Sequence, residues 1–219
     1  MSYMDFSIIF NNFHLFFPVA LVTLRITAVA ILFGLVIGLF FALLKLSRFW
    51  FLRSIANIYI TIIRGTPLLL QLFIIYYGMT HIVVLDSFTS AAIAFGAHNG
   101  AYIAEIFRGA IQSIERGQME AARSLGMTHF QAMRRIILPQ ALKRAVPPLG
   151  NQFIIALKDS SLASTIAVHE LLLKSQQLGA SSYKYLEFLI IAGFYYLILT
   201  SIFTAIVHRL EKYLSVSDH

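Results

Sequence analysis

The sequence predicts an all-α membrane protein with five transmembrane helices, and three observations carry that prediction. Hydrophobic residues make up 58% of the 219 positions and charged residues only 12%, about half the charged share of a soluble domain. The apolar residues gather in runs of about 20, the length that crosses a bilayer as a helix. The basic residues stand between these runs, so the net charge of +7 reads as a loop bias set by membrane orientation. It does not read as a nucleic-acid surface. Mean hydropathy of +0.77 agrees with a membrane chain. The absence of cysteine excludes disulfides, thiolate chemistry and Cys-ligated zinc or iron–sulfur sites. Nineteen Phe and ten Tyr suit lipid-facing and interfacial positions, while the single Trp makes a weak aromatic belt.

The first span is expected over 13–44, because Ile26 to Leu44 carries no charge and only Arg25 interrupts its extension back to Phe13. Gly65 to Leu85 supports a second span over 58–85, and Phe88 to Ala104 a third over 88–110. Ala145 to Leu173 is long enough for the fourth, 145–173, although Lys158 and Asp159 break its apolar run. Phe188 to Val207 supports the fifth, over 186–208. Residues 1–219 thus form one transmembrane domain with a polar loop at 111–144. Met1 to Asn12 lacks a basic n-region and a small-residue cleavage site, so no removable signal peptide is expected. Gly34 and Gly38 form a GxxxG that suits close helix packing. Five spans put the termini on opposite sides. With the N-terminus outside, twelve Lys and Arg fall inside against only Lys174 and Lys184 outside, which decides the orientation.

The loop is the anomaly in this chain. From Gly117 to Pro139 it is basic, polar and helix-forming, and hydrocarbon would not stabilise it. Met119, Ala122 and Leu125 fall on one face at i, i+3, i+6. Gly126 is a natural helix stop, and Thr128 with Gln131 has the spacing of a capping box. A second helix would carry Phe130, Met133, Ile136 and Ile137 on its apolar side and Arg134 and Arg135 opposite. Pro139 is expected to halt it, and Pro147-Pro148 to open the next span. Two readings follow: a hairpin lying on anionic lipid, or a knob that docks into a soluble partner.

Glu120-Ala121-Ala122, Gly126 and Ile136-x-Leu138-Pro139 match, at full spacing, the EAA-loop pattern of permease subunits of binding-protein-dependent ABC importers. Arg64-Gly-Thr-Pro-Leu-Leu-Leu-Gln71 resembles the second-span motif of polar amino acid permeases. Ala101 to Gly109 and Lys158 to Ala163 resemble that branch's third- and fourth-span signatures. The likeness runs from about Thr23 to Tyr213. It implies a type I importer (MetI-like) fold in a prokaryotic inner membrane, with cytoplasmic coupling helices. It also implies a second permease copy or paralogue, two ATP-hydrolysing subunits, and an external amino-acid-binding protein, with no nucleic acid. ATP and magnesium would belong to the ATPase partner, and this chain would hold no cofactor or metal. The docking residues so implied are Glu120, Ala121, Ala122, Arg123, Leu125, Gly126 and Met127. A Gly126→Asp variant would then uncouple ATP hydrolysis from uptake.

Charged groups within the spans are the candidates for cargo. A carboxylate near the bilayer centre costs about 2.5–3.5 kcal/mol, so it should face a partner or a wet cavity. Asp159 lies about 21 Å above Ala145 at the helical rise, among Lys158, Ser160, Ser161, Ser164 and Thr165, with Gln152 two turns earlier. Neighbours 100° apart on a helix neutralise each other poorly, so Asp159 is read as facing a water-accessible path. Glu105 either pairs with Arg108 at i, i+3 or lines that path. Pro67, after Arg64-Gly65-Thr66, either kinks the helix or opens it so that Thr66 and freed carbonyls meet a ligand. The substrate-binding set is Asp159, Ser160, Ser161, Glu105, Arg64, Thr66, Gln71 and Gln152. Two acids per chain favour a basic amino acid: arginine, histidine or lysine.

No phosphate loop, nucleophile elbow or H-E-x-x-H occurs, and none of the seven histidines (His14, His81, His98, His129, His169, His208, His219) has an i, i+4 partner. No catalytic residue is therefore assigned. The alternative class is a self-sufficient secondary transporter or channel using Asp159 or Glu105 as a proton relay. Such a carrier has no need of a rigid cytoplasmic knob.

Overall fold

The structure, a computed structural model, describes residues 6–215. The first five residues of the expected uncleaved N-terminus, and His219, lie outside them. Among the described residues the chain is helical and has no strand. It enters through α1 (Phe6–Asn12) and a 3-10 turn (Phe13–Phe16) into α2 (Phe17–Leu46). Pro18 fits the first turn of α2, where no backbone donor is needed. Next come α3 (Trp50–Gly65) and α4 (Leu68–Phe73), which leads through π and 3-10 turns to His81. Around Pro67 the chain bends by 106°, far more than a simple proline kink. By length and hydropathy, Phe6–Leu46 and Tyr185–Leu214 can each cross a membrane, and the bent pair makes a third if counted as one span.

Helix α5 (Ser87–Gln112) is the axle of the fold. Asp86 caps it, accepting from the Thr89 amide at 3.0 Å and the Thr89 hydroxyl at 2.5 Å. Those hydrogen bonds hold the Asp86 carboxyl below its usual range. Ala91, Ala92, Ala94, Gly96, Gly100, Ala101 and Ala104 let other helices approach α5 closely. The Gly34/Gly38 motif of α2 packs there: a Cβ on Gly38 would stand 2.6 Å from Ile103 Cγ2 and 3.0 Å from the Gly100 carbonyl. Ile103 is fully buried and cannot swing away. Gly38→Ala should therefore destabilise the fold by about 1–3 kcal/mol, read as a lowered melting temperature of the detergent-solubilised protein.

After α5 come α6 (Arg116–Ser124), α7 (His129–Ala132), a π turn (Met133–Ile137), α8 (Leu138–Asp159), α9 (Leu171–Ser182) and α10 (Tyr185–Ser215). Three expectations are corrected here. Pro139 does not end the second loop helix. It occupies the first turn of α8, directly after a π turn that has already shifted the hydrogen-bond register. Pro147 and Pro148 lie inside α8 and not at its start. The 145–173 segment is also not one helix. It leaves α-helix at Asp159, runs as a 3-10 helix over Ser160–Ile166, and turns at Ala167, a non-glycine residue with φ of +63°.

Candidate functional site

The loop forms a rigid knob. Helix α6 ends in a Schellman motif: the Met127 amide donates to the Ala122 carbonyl at 3.1 Å and the Gly126 amide to Arg123 at 3.0 Å. Gly126 takes φ of +82°, the left-handed conformation that glycine adopts without penalty. Arg123 Nη1 donates to the Met127 carbonyl at 2.8 Å and locks the joint from the side. Thr128 and Gln131 then complete the expected capping box, with both reciprocal bonds present.

The knob's face differs from the expected stripe. Ala122 is buried and Met119 half-buried, but Leu125 is 84% exposed. The helix stops at Ser124, so Leu125 sits at the cap and turns outward. Phe130, expected on the inner side of the second helix, is 71% exposed. Glu120, Ala121 and Arg123 also face outward. Beneath this tip Ile114, Ile137, Ala141 and Ala145 form a small core with Met119 and Met133. Arg144 Nη1 donates to the Ser113 carbonyl at 2.5 Å, fixing the start of α8 to the end of α5.

Most of the predicted cargo residues have partners within the chain. Glu105 accepts from Lys45 at 2.6 Å and from Arg108 Nη2 at 2.8 Å, so the ion pair read as its alternative role is present. Gln71 Nε2 closes the Pro67 break by donating to the Ile63 carbonyl at 2.7 Å and to Thr66 Oγ1 at 2.8 Å. Its Oε1 lies 3.1 Å from His98 Nδ1. Gln152 Nε2 donates to Asn99 Oδ1 at 2.9 Å and ties α8 to α5. The Ser160 and Ser161 hydroxyls donate back to the Leu157 and Lys158 carbonyls.

Two charged groups are different. Asp159 is half-buried where α8 gives way to the 3-10 helix; among the described residues its side chain makes no hydrogen bond or salt bridge, and the charge of Lys158 stands beside it. Arg64, at the end of α3, is exposed and lies over the Tyr102 ring, 5.0 Å from its centroid.

Sequence reasoning missed Glu170. Its side chain is fully buried, accepting from the Leu173 amide at 2.8 Å and from the Tyr196 hydroxyl at 2.6 Å. Thr23 on α2 accepts from the Leu171 amide at 3.3 Å alongside. This cluster ties the segment after Asp159 to α2 and α10. The available signal was an acid directly before the apolar run Leu171-Leu172-Leu173, where an N-cap belongs. Removing the Tyr196 hydroxyl strands a buried carboxylate oxygen. Tyr196→Phe should thus cost about 1.5–3 kcal/mol of stability, measurable as earlier thermal unfolding.

A rigid two-helix knob set between long apolar helices is the build of a permease that works with a partner. The chain belongs to the family of binding-protein-dependent transport system inner membrane components, whose model matches residues 30–216. It is 43% identical over 192 residues to the L-cystine transport system permease protein TcyB of Bacillus subtilis (strain 168), covering 87% of this chain and 82% of that one. It is 38% identical over 215 residues to the glutamine transport system permease protein GlnP of Escherichia coli (strain K12), covering 97% and 98%. A crystal structure of an amino acid ABC transporter with histidines superposes with a TM-score of 0.92 at 39% identity, over 97% of this chain and 99% of that one. The fold and the inner-membrane setting expected from the sequence are thereby established.

Proposed function

We propose that this chain is one of two permease subunits of an ATP-driven importer of polar, basic amino acids. The unpartnered Asp159 is the observation that carries the basic subclass. An acid at membrane depth without a hydrogen-bond donor is expensive unless a cation or water meets it, and a basic side chain is such a cation. Arg64 and Asp159 then form the cargo contacts. Ser160, Ser161, Thr66, Gln71, Gln152 and Glu105 hold the backbone and the neighbouring helices around them.

The knob docks the ATPase subunits. Leu125 and Phe130 present apolar surface, Glu120 a carboxylate, and the small side chain of exposed Ala121 keeps α6 slender enough to enter a groove, while buried Ala122 lets α6 sit close on the bundle. Arg123, Gly126 and Met127 fix the angle between α6 and α7. ATP and magnesium bind in those partner subunits. An external binding protein delivers the cargo, the N-terminus faces outside, and lipid covers the apolar flanks.

Among the relatives are permeases named for arginine, glutamine and L-cystine, so the cargo test must separate these. Displacement of labelled L-arginine from the purified complex checks it directly. Arginine, histidine and lysine should displace at least tenfold better than glutamine or glutamate. Equal displacement by glutamine would remove the basic assignment and leave a broader amino acid importer.

A further inference from the structure

We propose that Lys45 and Glu105 form a reversible clasp that holds the inner end of α2 against α5 and opens in each transport cycle. The inference rests on the ATP-driven importer reading above and adds the residue pair that passes motion of the knob to the first span. Lys45 stands in the last turn of α2, and its ammonium donates to Glu105 Oε1 at 2.6 Å. Arg108, one turn further along α5, donates to the other oxygen, Oε2, from Nε at 3.0 Å and from Nη2 at 2.8 Å. Each cation has its own oxygen. Lys45 can therefore leave while Arg108 still neutralises the carboxylate, whereas an acid with a single partner would be stranded.

The position favours release. Glu105 lies seven residues before Gln112, the end of α5, about 10 Å by the helical rise. The Lys45 and Glu105 side chains keep 23% and 18% of their surface exposed, so water and headgroups are within reach of a lysine that lets go. Two turns back along α2 the contact is of another kind. Gly38 packs on Gly100 and Ile103 too closely to admit a Cβ. Helix α2 thus has a fixed pivot at Gly38 and a polar tie at its inner end. Between the two, Ala42 is 1% exposed and packs with Ala101 and Ala104. Phe107 packs against that core and also against the core at the base of the knob. A tilt of the knob therefore reaches the turn of α5 that carries Glu105.

The chain has no cysteine, so Ala42→Cys sets a single thiol beneath the clasp. Its labelling by a small methanethiosulfonate reagent is followed by mass spectrometry of the permease in the complete permease–ATPase complex in proteoliposomes. Labelling should be about tenfold faster during ATP turnover than without nucleotide. Adding Lys45→Met should make it fast without ATP, and Lys45→Arg should keep the protection. Uptake per ATP hydrolysed, measured without the cysteine, is the second readout and does not depend on Ala42→Cys folding. Lys45→Met should lower that ratio about fivefold or more, and Lys45→Arg should hold it near wild type. A merely structural pair would lower the melting temperature and both activities in step. Labelling that ignores ATP, or a Lys45→Met complex with the wild-type ratio, overturns the clasp and leaves the importer reading standing. Wild-type uptake that ignores ATP overturns both.

Discussion

Replacing Gly126 with valine is expected to leave the importer assembled but unable to couple ATP hydrolysis to uptake. Gly126 adopts φ of +82°, and an added Cβ would meet no atom within 4 Å. The penalty is therefore conformational, about 1–2 kcal/mol for an L-residue in the left-handed region, and greatest for a β-branched side chain. The chain can escape it only by reopening the Schellman turn, which swings α7 relative to α6. No buried contact is lost, so membrane insertion and the bundle above should survive. Asp and Asn enter the left-handed region more readily than valine, so Gly126→Asp, the obvious choice from sequence, should be the milder variant. ATP turnover and uptake measured together in proteoliposomes give the answer. Persistent hydrolysis with uptake reduced at least tenfold is expected for valine, with Gly126→Asn near wild type. Wild-type coupling in the valine variant would mean that the joint's angle is immaterial.

Leu125→Glu is expected to break the complex apart. Leu125 is 84% exposed at the cap of α6, and among the described residues nothing packs over this large apolar side chain. A buried anchor at an interface contributes about 2–4 kcal/mol, and a glutamate would add the cost of burying a charge. Affinity for the ATPase subunit should therefore fall at least thirtyfold, by about 2 kcal/mol or more, while the folded permease keeps its melting temperature. Co-purification through a tag on the ATPase, followed by titration, measures it. An intact complex would assign Leu125 to the lipid surface and revive the interfacial-hairpin reading.

The elements that sequence placed well are those with local causes. Thr128 and Gln131 announce a helix start wherever they stand at that spacing, and Gly126 a stop, because both act within one turn. The GxxxG of α2 was legible for the same reason, though its counterpart, Gly100 and Ile103 of α5, was not. Elements set by distant partners escaped. Pro139 and Pro147-Pro148 looked like boundaries, yet a π turn and the packing of α8 on α5 carry the helix through them. Glu170 reads as an ordinary acid until Thr23 and Tyr196, from opposite ends of the chain, close around it. Glu105 was read as either an ion-pair partner of Arg108 or a pathway acid, and the pair with Arg108 is present. Its engagement by Lys45, sixty residues away, is a tertiary fact that no local spacing reveals.

The central claim is that energy enters through the knob and not through an intramembrane proton relay. Uptake of labelled arginine into proteoliposomes tests it most directly, comparing ATP against an imposed proton gradient, with and without the ATPase subunit. Uptake that needs both ATP and the ATPase subunit, and that Leu125→Glu abolishes, is the predicted result. Gradient-driven uptake by the permease alone would contradict the account.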